Sequence, residues 1–248
     1  MCTLIISKNS NKHWPIMIAS TRDEEISRSF LAPARHWKDY PQIFAGYDKK
    51  KRGSWLGIND KGLLVAILNR TNNKEKIIKT SRGQIVIEAL KQKNSIEALK
   101  IIENIDAYKW KPFNAIVADY NNAYWIKNGS KNRLQISIIP NGVSMIDSNN
   151  LNDEKSKRYV QYYEYFCNSI PKGPNKNYWK KWVKIMSMKS KNRKNPLLGI
   201  TIDPSNNNFG TVCSSLIAIP NPKITKEKPH WYYCDGAPKF EKFKNILI

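Results

Sequence analysis

The chain has few acidic side chains and lacks the patterns that mark common metal, disulfide and membrane segments. It has 20 Asp and Glu against 42 Lys and Arg in 248 residues, and only four cysteines. The cysteines are scattered without a C-x-x-C pair, which argues against a zinc site and a dense disulfide framework. No apolar run approaches the ~18 residues of a membrane span, and the opening run, residues 4–6, is too short for a signal peptide. We therefore expect a cytoplasmic protein in a reducing compartment.

The excess of positive charge admits an anionic partner. The formal net charge is +22 and the isoelectric point is about 9.8, as in proteins that bind nucleic acids or anionic membranes. Few of the basic residues are arginine, however, and lysine, asparagine and isoleucine dominate together, as expected from an AT-rich genome. No nucleic-acid-binding motif is present, and the basic runs 49–52 and 191–194 are predicted to be solvated loops. We expect no nucleic-acid partner, while a phosphate-bearing ligand and weak contact with a membrane surface stay open.

Length and composition fit one domain, which we assign to residues 1–248. A hydrophobic fraction of 41% with 11% aromatic residues is ample for a buried core. The first predicted hairpin pairs residues 3–6 with 16–19 and has Cys2 at its outer end. The second pairs 54–59 with 63–68, and its latter strand is apolar on both faces, so we expect that strand to be central. Residues 21–42 are predicted to be irregular.

The remaining patterns mix helices and strands. Ser81 and Gln84 have the spacing of a capping box, which predicts a helix to about residue 92, followed by another over 95–105. Helical spacing also covers 155–188, where residues 171–174 separate two helices. Together these elements predict an α+β layered fold. Further strands are predicted at 113–118, 123–127, 134–139, 143–146, 211–219 and 230–234, with a loop over 195–210.

Cys2 is the residue with the most chemical content. Removal of the initiator methionine, which is usual before a small residue, would leave Cys2 with a free α-amine, so that a thiol and a base share one residue. An α-amine titrates near pH ~8 and a cysteine thiol near ~8.5, so part of the amine is neutral at pH 7 and can take the proton of the thiol. Such a chain can be an N-terminal nucleophile hydrolase. The alternative is that Cys2 is a small apolar residue that opens a strand.

A series of short motifs resembles one family. The motifs stand in the order expected of the transport and Golgi organization protein 2 family, also called NRDE proteins, and they cover about residues 1–150 and the region near 209–219. One such tripeptide would carry little information, but nine in order are specific. The motifs are Cys2; Arg22-Asp23-Glu24; Ala45-Gly46; Gly53-Ser54-Trp55-Leu56-Gly57; Asn69 with Arg70; Ser81-Arg82-Gly83; Phe113-Asn114; Ser148-Asn149; and Phe209-Gly210-Thr211.

The resemblance implies a fold and a range of functions. The implied fold is α+β, a four-layer αββα sandwich of N-terminal nucleophile hydrolase type with two antiparallel sheets. The family is linked to Golgi organisation and secretion in animals and to the handling of lipid, acyl-coenzyme A and haem. A metal or a required cofactor is not implied.

A wider resemblance to choloylglycine hydrolases and penicillin V acylases, which also begin with Cys2, implies roles for two residues of the second strand. Arg22 and Asp23 occupy the place of an arginine and an aspartate that flank the nucleophile in those enzymes. A carboxylate near the α-amine orients it and holds its proton during attack, while a guanidinium lowers the cost of forming the thiolate. The alternative interpretation of Arg22 and Asp23 is a surface ion pair.

Two asparagines complete the implied catalytic set. Asn69 ends the central apolar strand, where its amide can donate to the oxyanion of a tetrahedral intermediate, a contribution of about 3 kcal/mol when it is preorganised. Asn149 matches the asparagine of the family's Ser-Asn pair and is expected to position the substrate or the Cys2 amine. The alternatives are a residue that ends a strand for Asn69 and a plain turn for Asn149.

The chain departs from the family pattern at two positions. Thr21 replaces an asparagine and keeps a hydrogen-bonding group. Val212 follows Phe209-Gly210-Thr211 where relatives commonly carry arginine, and this loss puts turnover in question if the arginine contributes to catalysis. Next to it, Cys213 is interpreted as a buried apolar residue rather than a reactive thiol.

Two functions follow from the resemblance. The first is hydrolysis of an amide or thioester, or acyl transfer, with Cys2 as the nucleophile. The second is a non-catalytic carrier of an acyl-coenzyme A, a lipid or haem, related to proteins of Golgi organisation and secretion. The partner in either case is a small acyl or lipophilic molecule. Trp179, Trp182 and Met186 form an aromatic stripe that fits either the core or a lipophilic groove.

Overall fold

The computed structural model describes residues 2–70, 80–129, 134–192, 194–204 and 208–246. The chain forms two compact units, one of Met1–Arg28 with Pro140–Ile248 and one of Ser29–Ile139. Each unit contains one antiparallel sheet and two of the α-helices. The single domain assigned to residues 1–248 stays a prediction.

The described residues form thirteen strands and four α-helices, numbered here in chain order. The strands are β1 (Thr3–Lys8), β2 (Ile16–Glu25), β3 (Phe30–Ala34), β4 (Ile43–Asp48), β5 (Leu56–Asn59), β6 (Leu64–Asn69), β7 (Phe113–Ala118), β8 (Ala123–Asn128), β9 (Leu134–Ile138), β10 (Gly142–Ile146), β11 (Phe209–Ile219), β12 (His230–Asp235) and β13 (Lys244–Ile246). The helices are α1 (Gly83–Leu90), α2 (Ser95–Glu103), α3 (Lys157–Cys167) and α4 (Lys180–Met186).

The first unit is built on a six-stranded sheet in the order β10-β1-β2-β11-β12-β13. Its two longest strands, β2 and β11, pair from Ile16 and Ile219 to Glu25 and Phe209. All six residues of β1 are buried, as expected for a strand that is covered on both faces. The predicted hairpin of β1 and β2 is confirmed, with Thr3 opposite Thr21.

Helices α3 and α4 contribute to the apolar core of the first unit. The cluster includes Trp179, Trp182 and Met186, each at most 1% exposed, together with Tyr162 and Phe166 of α3. The indole of Trp182 donates to the main-chain oxygen of Phe166 at 3.2 Å, which ties the two helices together. The aromatic stripe therefore belongs to the core, and the alternative of a lipophilic groove is wrong.

The second unit is built on a seven-stranded sheet in the order β3-β4-β5-β6-β7-β8-β9. β6 is the fourth of the seven, so the predicted hairpin of β5 and β6 and the central place of β6 are both confirmed. Helices α1 and α2 pack on this sheet through a cluster that includes Ile85, Leu90, Ala98 and Ile102. Long apolar runs in the sequence mark the strands of this core, because both faces of β6 are buried.

Three expectations about local structure are wrong. Residues 21–42 are not irregular throughout, because β2 continues to Glu25 and β3 occupies Phe30–Ala34. Ser81 does not cap α1: the cap position is Arg82, without a side-chain hydrogen bond, and the Gln84 amide donates to the main-chain oxygens of Lys51 and Arg52 instead. The loop predicted over 195–210 ends at Phe209, where β11 begins.

Candidate active site

Cys2 lies directly before β1, beside the motif residues of β2. The register pairs Thr3 with Thr21 and Cys213 with Arg22. Because opposed residues of antiparallel strands share a face of the sheet, extending this register by one residue places Cys2, Arg22 and Cys213 in one row. Cys2 is half-buried, and its thiol donates a weak hydrogen bond to the main-chain oxygen of Asp23 at 3.6 Å. The first hairpin thus brings Cys2, Arg22 and Asp23 together.

The environment of Cys2 favours the protonated thiol. Burial raises the pKa of Cys2 above its ordinary value, and the negative charge of Asp23 raises it further, whereas the Arg22 guanidinium acts in the opposite direction. Because the thiolate is the nucleophilic form of cysteine, a thiol in this setting needs a base nearby. An α-amine on the same residue would be such a base.

Arg22 is a buried cation rather than part of an exposed surface pair. The residue is 5% exposed, and its guanidinium lies 3.5 Å from the carboxylate of Glu24. That carboxylate also lies 3.5 Å from Arg28. The motif Arg22-Asp23-Glu24 therefore supplies a cation next to Cys2 and an acid that partly neutralises it.

Asp23 lies on the opposite face of β2 from Arg22, because neighbouring residues of a strand alternate. Its side chain is fully buried. One carboxylate oxygen, Oδ1, accepts a hydrogen bond of 2.7 Å from the Thr211 hydroxyl of β11, and the other, Oδ2, lies 3.6 Å from the Arg158 guanidinium. The surface ion pair considered for Asp23 is therefore wrong.

Arg158, in the first turn of α3, is a member of this cluster that the sequence patterns did not reveal. Its side chain is 2% exposed. It donates from Nη1 to the Thr3 hydroxyl at 2.7 Å and from Nε to the main-chain oxygen of Leu197 at 3.0 Å. The residue stands beside Tyr159 in a stretch with the periodicity of an amphipathic helix, so a pattern analysis treats it as a solvated cation. Only the tertiary structure shows that it reaches Thr3 and Asp23.

A β-bulge on β11 contains the departure from the family pattern. Thr211 pairs with Asp23 and Cys213 with Arg22, so that Val212 has no partner in the register. Val212 is 9% exposed, and its main-chain oxygen accepts from the amide of Gly236 at 2.9 Å. Position 212 thus holds a buried apolar side chain directly between Thr211 and Cys213.

Cys213 is an inert thiol in this setting. It is 1% exposed, and burial raises its pKa to about 12, an effect that the nearby Arg22 charge only partly offsets. A thiol with so high a pKa carries almost no thiolate at neutral pH and is a poor nucleophile. The interpretation of Cys213 as a buried apolar residue is confirmed.

Asn149 lies in the turn that follows β10. Its amide nitrogen and its side-chain Nδ2 donate to the same carboxylate oxygen of Asp147, at 2.7 and 3.0 Å, which is the geometry of an Asx turn. The other oxygen of Asp147 accepts from the hydroxyl of Ser156, which caps α3 by accepting from the amide of Tyr159. The turn around Asn149 is thus tied to the same helix end that carries Arg158.

Asn69 belongs to the second unit. It is the last residue of β6, opposite Phe113, and it is exposed. The neighbouring motif residue Arg70 donates to the buried Asn114 side chain at 2.6 Å, and Asn114 also accepts from the indole of Trp125 at 3.0 Å. The Asn69-Arg70 and Phe113-Asn114 motifs therefore meet across β6 and β7. The oxyanion role of Asn69 stays a prediction.

Two glycine motifs of the second unit meet as well. A Cβ on Gly53 would lie 2.5 Å from the main-chain carbon of Gly83, and the amide of Ser54 donates to the main-chain oxygen of Gly83 at 3.0 Å. Only residues without a side chain allow the two backbones to come this close. The Gly53-to-Gly57 and Ser81-to-Gly83 motifs thus serve the packing of the start of α1 against the turn before β5.

A cavity of about 390 Å³ opens in the first unit beside α4. Its apolar lining comes from Val183 of α4 and from residues near the C-terminus, and its polar lining is mostly basic. Lys189 on its rim is paired with Asp203. The lining residues are Lys180, Val183, Lys184, Ser187, Lys189, Thr201, Ala237, Pro238, Lys239, Phe240 and Glu241.

The architecture is that of the N-terminal nucleophile hydrolases. The N-acylethanolamine-hydrolyzing acid amidase ortholog of Caenorhabditis elegans superposes with a TM-score of 0.59 at 15% identity, over 87% of this chain and 92% of that one. Penicillin V acylase from Agrobacterium tumefaciens superposes with a TM-score of 0.50 at 13% identity, over 99% of this chain and 98% of that one. A variant of conjugated bile acid hydrolase from Clostridium perfringens superposes with a TM-score of 0.53 at 11% identity, over 99% of this chain and 92% of that one. The implied fold class, the αββα type with two antiparallel sheets, is confirmed.

The chain belongs to the Transport and Golgi organisation 2 family, whose family model matches residues 1–226. The human Transport and Golgi organization protein 2 homolog is 30% identical over 123 residues, which are 48% of this chain and 42% of that protein. The Bos taurus homolog is 29% identical over 119 residues, 46% of this chain and 41% of that protein. Each match thus spans about two fifths of the relative's length. The family that the motifs predicted is confirmed.

Proposed function

We propose that this protein is an N-terminal cysteine hydrolase or acyltransferase that acts on an amide or a thioester. The observation that carries the proposal is the placement of Cys2 at the start of β1, beside the buried Arg22 and Asp23. The names of the similar solved proteins, an amidase, an acylase and a conjugate hydrolase, support an N-acyl amide as the substrate class.

The chemistry requires that Met1 is removed. The free α-amine of Cys2 then takes the thiol proton, and the thiolate sulfur attacks the carbonyl carbon of the acyl group to form a tetrahedral oxyanion. When the oxyanion collapses, the bond to the leaving nitrogen or sulfur breaks, and the leaving group takes the proton from the ammonium. Water, deprotonated by the same amine, then cleaves the acyl–Cys2 thioester and regenerates the thiol.

The residues around Cys2 have distinct tasks in this scheme. The Arg22 charge favours the thiolate, as its effect on the Cys2 pKa indicates. Asp23 carries the negative charge that favours the protonated amine between the two proton transfers. The positioning role of Asn149 and the oxyanion role of Asn69 stay predictions. For Asn149, the hydrogen bonds to Asp147 favour the alternative of a turn residue.

Intact mass and acyl trapping test the proposal. We expect purified protein to lack Met1 and to gain one acyl group when it is incubated with an activated N-acyl amide or acyl thioester. The adduct should map to the N-terminal peptide and should be absent in Cys2→Ala. Cys213→Ala is the matched control, because it removes a buried thiol of the same sheet and should leave the adduct unchanged. Retention of Met1, or an adduct that persists in Cys2→Ala, would refute the proposal.

A second candidate function, the binding of an anionic lipophilic ligand, is favoured by the cavity beside α4. Its volume lies within the range of small-molecule sites, and it combines an apolar lining with four lysines, of which Lys189 is paired with Asp203. In the described part of the chain, no carboxylate forms an ion pair with Lys180, Lys184 or Lys239, although Glu241 also lines the cavity. An acyl-coenzyme A or haem offers the acidic groups and the apolar body that such a site would take.

Binding titrations separate this candidate from the first. We expect Cys2→Ala to bind an acyl-coenzyme A or haem as wild type does. Replacing Lys180, Lys184 and Lys239 with glutamine should weaken binding by about tenfold, since exposed charge pairs contribute up to about 1 kcal/mol each. Lys12, Lys49 and Lys172 are exposed elsewhere, and their triple glutamine variant has the same net charge. Equal loss in both triple variants would mean that net charge alone attracts the ligand, and the site would be rejected.

The compartment and the partners of the protein can be tested independently of its activity. No helix in the described ranges has the length and hydropathy to span a bilayer. The cytoplasmic location and the absence of nucleic-acid partners stay predictions. Cell fractionation and the salt dependence of oligonucleotide binding would test them, because phosphate contacts weaken steeply with salt.

A further inference from the structure

We infer that Arg158 is a positioning residue for the nucleophile, since its guanidinium neutralises Asp23 and ties α3 to the start of β1 next to Cys2. The inference deepens the proposed function and rests on it in one respect, that Cys2 is the reacting group. It assigns a role to a residue outside all nine family motifs.

Three contacts of Arg158 with three different segments support the inference. Nη2 lies 3.6 Å from Asp23 Oδ2 on β2, Nη1 donates to Thr3 Oγ1 on β1, and Nε donates to the oxygen of Leu197 in the segment before β11. Thr3 follows Cys2 directly in the chain, and Asp23 accepts the hydrogen bond of the Cys2 thiol through its main-chain oxygen. Arg158 therefore joins the residue after the nucleophile to the acid next to it.

The position of Arg158 within α3 is otherwise unfavourable for a cation. It is the second residue of the helix, after the cap Ser156 and Lys157, where the positive end of the helix dipole disfavours positive charge. Its burial adds a desolvation cost that is offset only by an opposite charge and by hydrogen bonds. Asp23 provides the opposite charge, so the pair accounts for an arginine at a site where packing alone would favour an apolar residue.

Arg158 reaches the buried carboxylate of Asp23 from α3, whereas Val212, the bulge residue next to Thr211, adds no charge. Loss of Arg158 would remove a cation from the acid whose negative charge raises the pKa of Cys2.

A double-mutant cycle on Cys2 reactivity tests the inference. Wild type, Arg158→Met, Asp23→Asn and the double variant are alkylated with iodoacetamide between pH 6 and 10, and the rate is read on the N-terminal peptide by mass spectrometry. In Arg158→Met, the Asp23 carboxylate has lost this cation, so the pKa of Cys2 should rise further and alkylation at pH 8 should slow by about tenfold. In the Asp23→Asn background, the same replacement should change the rate by less than about threefold, since the charge that it exposes is absent.

Two further variants distinguish charge from packing. Arg158→Lys retains the charge without the planar fork of arginine and should recover most of the rate. Thr211→Val removes a neutral hydrogen bond to the same carboxylate and should slow alkylation by less than about threefold. If Arg158→Met does not fold, Arg158→Gln takes its place in the cycle, with thermal melting of every variant as the control for folding.

The possible outcomes test the inference and the proposed function separately. Equal effects of the Arg158 replacement in both backgrounds, or an effect of Thr211→Val as large as that of Arg158→Met, would overturn the inference. Because alkylation requires no substrate, a protein that hydrolyses nothing still yields a complete cycle. If Arg158 and Asp23 are coupled in the cycle but the protein turns over no substrate, only the proposed hydrolase is rejected. If the protein turns over a substrate but the two residues are not coupled, only the role of Arg158 is rejected.

Discussion

Replacing Asp23 with asparagine should destabilise the first unit more than replacing its partly exposed neighbour Glu24. The Asp23 side chain is fully buried between Thr211 and Arg158. An asparagine of the same shape leaves the Arg158 guanidinium buried without its anion, and breaking a buried ion pair in this way costs about 3–5 kcal/mol. The bonds of Arg158 to Thr3 and Leu197 remain, so we expect the lower end of that range. At roughly 2–4 °C per kcal/mol, the melting temperature should fall by about 6–12 °C.

Urea denaturation and thermal melting of Asp23→Asn and Glu24→Gln provide the assay. The Glu24 side chain is 20% exposed and lies 3.5 Å from both Arg22 and Arg28. Water reaches this carboxylate, so its replacement should cost less than that of Asp23, about 1–2 kcal/mol. The reasoning would be refuted if Asp23→Asn melted within about 2 °C of wild type, or if both variants lost the same stability. Either result would mean that the charge of Asp23 is solvated or absent in the folded protein.

The remaining predictions concern thiols and a glycine. With the N-terminus blocked by an added residue, Cys2 alkylation should still be rising at pH 9, since its thiol pKa is raised; a plateau below pH 8 would contradict the burial of this thiol. Cys213, with a pKa of about 12, stays protonated in the folded chain above pH 8.5 while its unfolded counterpart ionises. The free energy of unfolding should therefore fall as the pH rises. Between pH 9 and 10, urea titrations should show that Cys213→Ala loses about 1 kcal/mol less per pH unit than wild type. If the free energies of the two proteins fell in parallel with pH, the prediction would be refuted. Gly53→Ala should cost about 1–3 kcal/mol because its Cβ meets Gly83, whereas Gly129→Ala, which meets nothing within 4 Å, should be nearly neutral.

The apolar parts of the fold could be predicted from the sequence because buried strands and helices consist of apolar residues at regular spacing along the chain. The hairpin of β1 with β2 and the central place of β6 follow from short apolar runs bounded by turns, and the structure confirms both. The stripe of Trp179 and Trp182 likewise records a helix face that is in the core. In each case, local hydrophobicity and tertiary burial agree.

The polar parts could not be predicted because their partners lie far away in the chain. The end of β2 from Thr21 to Glu25 looks like a loop, yet its first three residues are buried. The partners of the Asp23 carboxylate, Arg158 and Thr211, lie 135 and 188 residues further along the chain. The capping box failed for a similar reason, since Gln84 bonds to main-chain oxygens of residues 51 and 52 rather than to the start of its own helix. Motif recognition located Arg22 and Asp23 but gave no indication of Arg158.

The alternation of side chains along β2 explains how two adjacent residues of one motif perform different tasks. Arg22 shares a face with Cys2 and acts on the sulfur through its charge. Asp23 points to the other face, where Thr211 and Arg158 bind its carboxylate, while its main-chain oxygen accepts the thiol. The charge of Asp23 raises the pKa of Cys2 more than the charge of Arg22 lowers it, so the ion pair of Asp23 with Arg158 of α3 matters for the sulfur even though it lies on the other face of the strand. This arrangement depends on the strand conformation of residues that look like a loop.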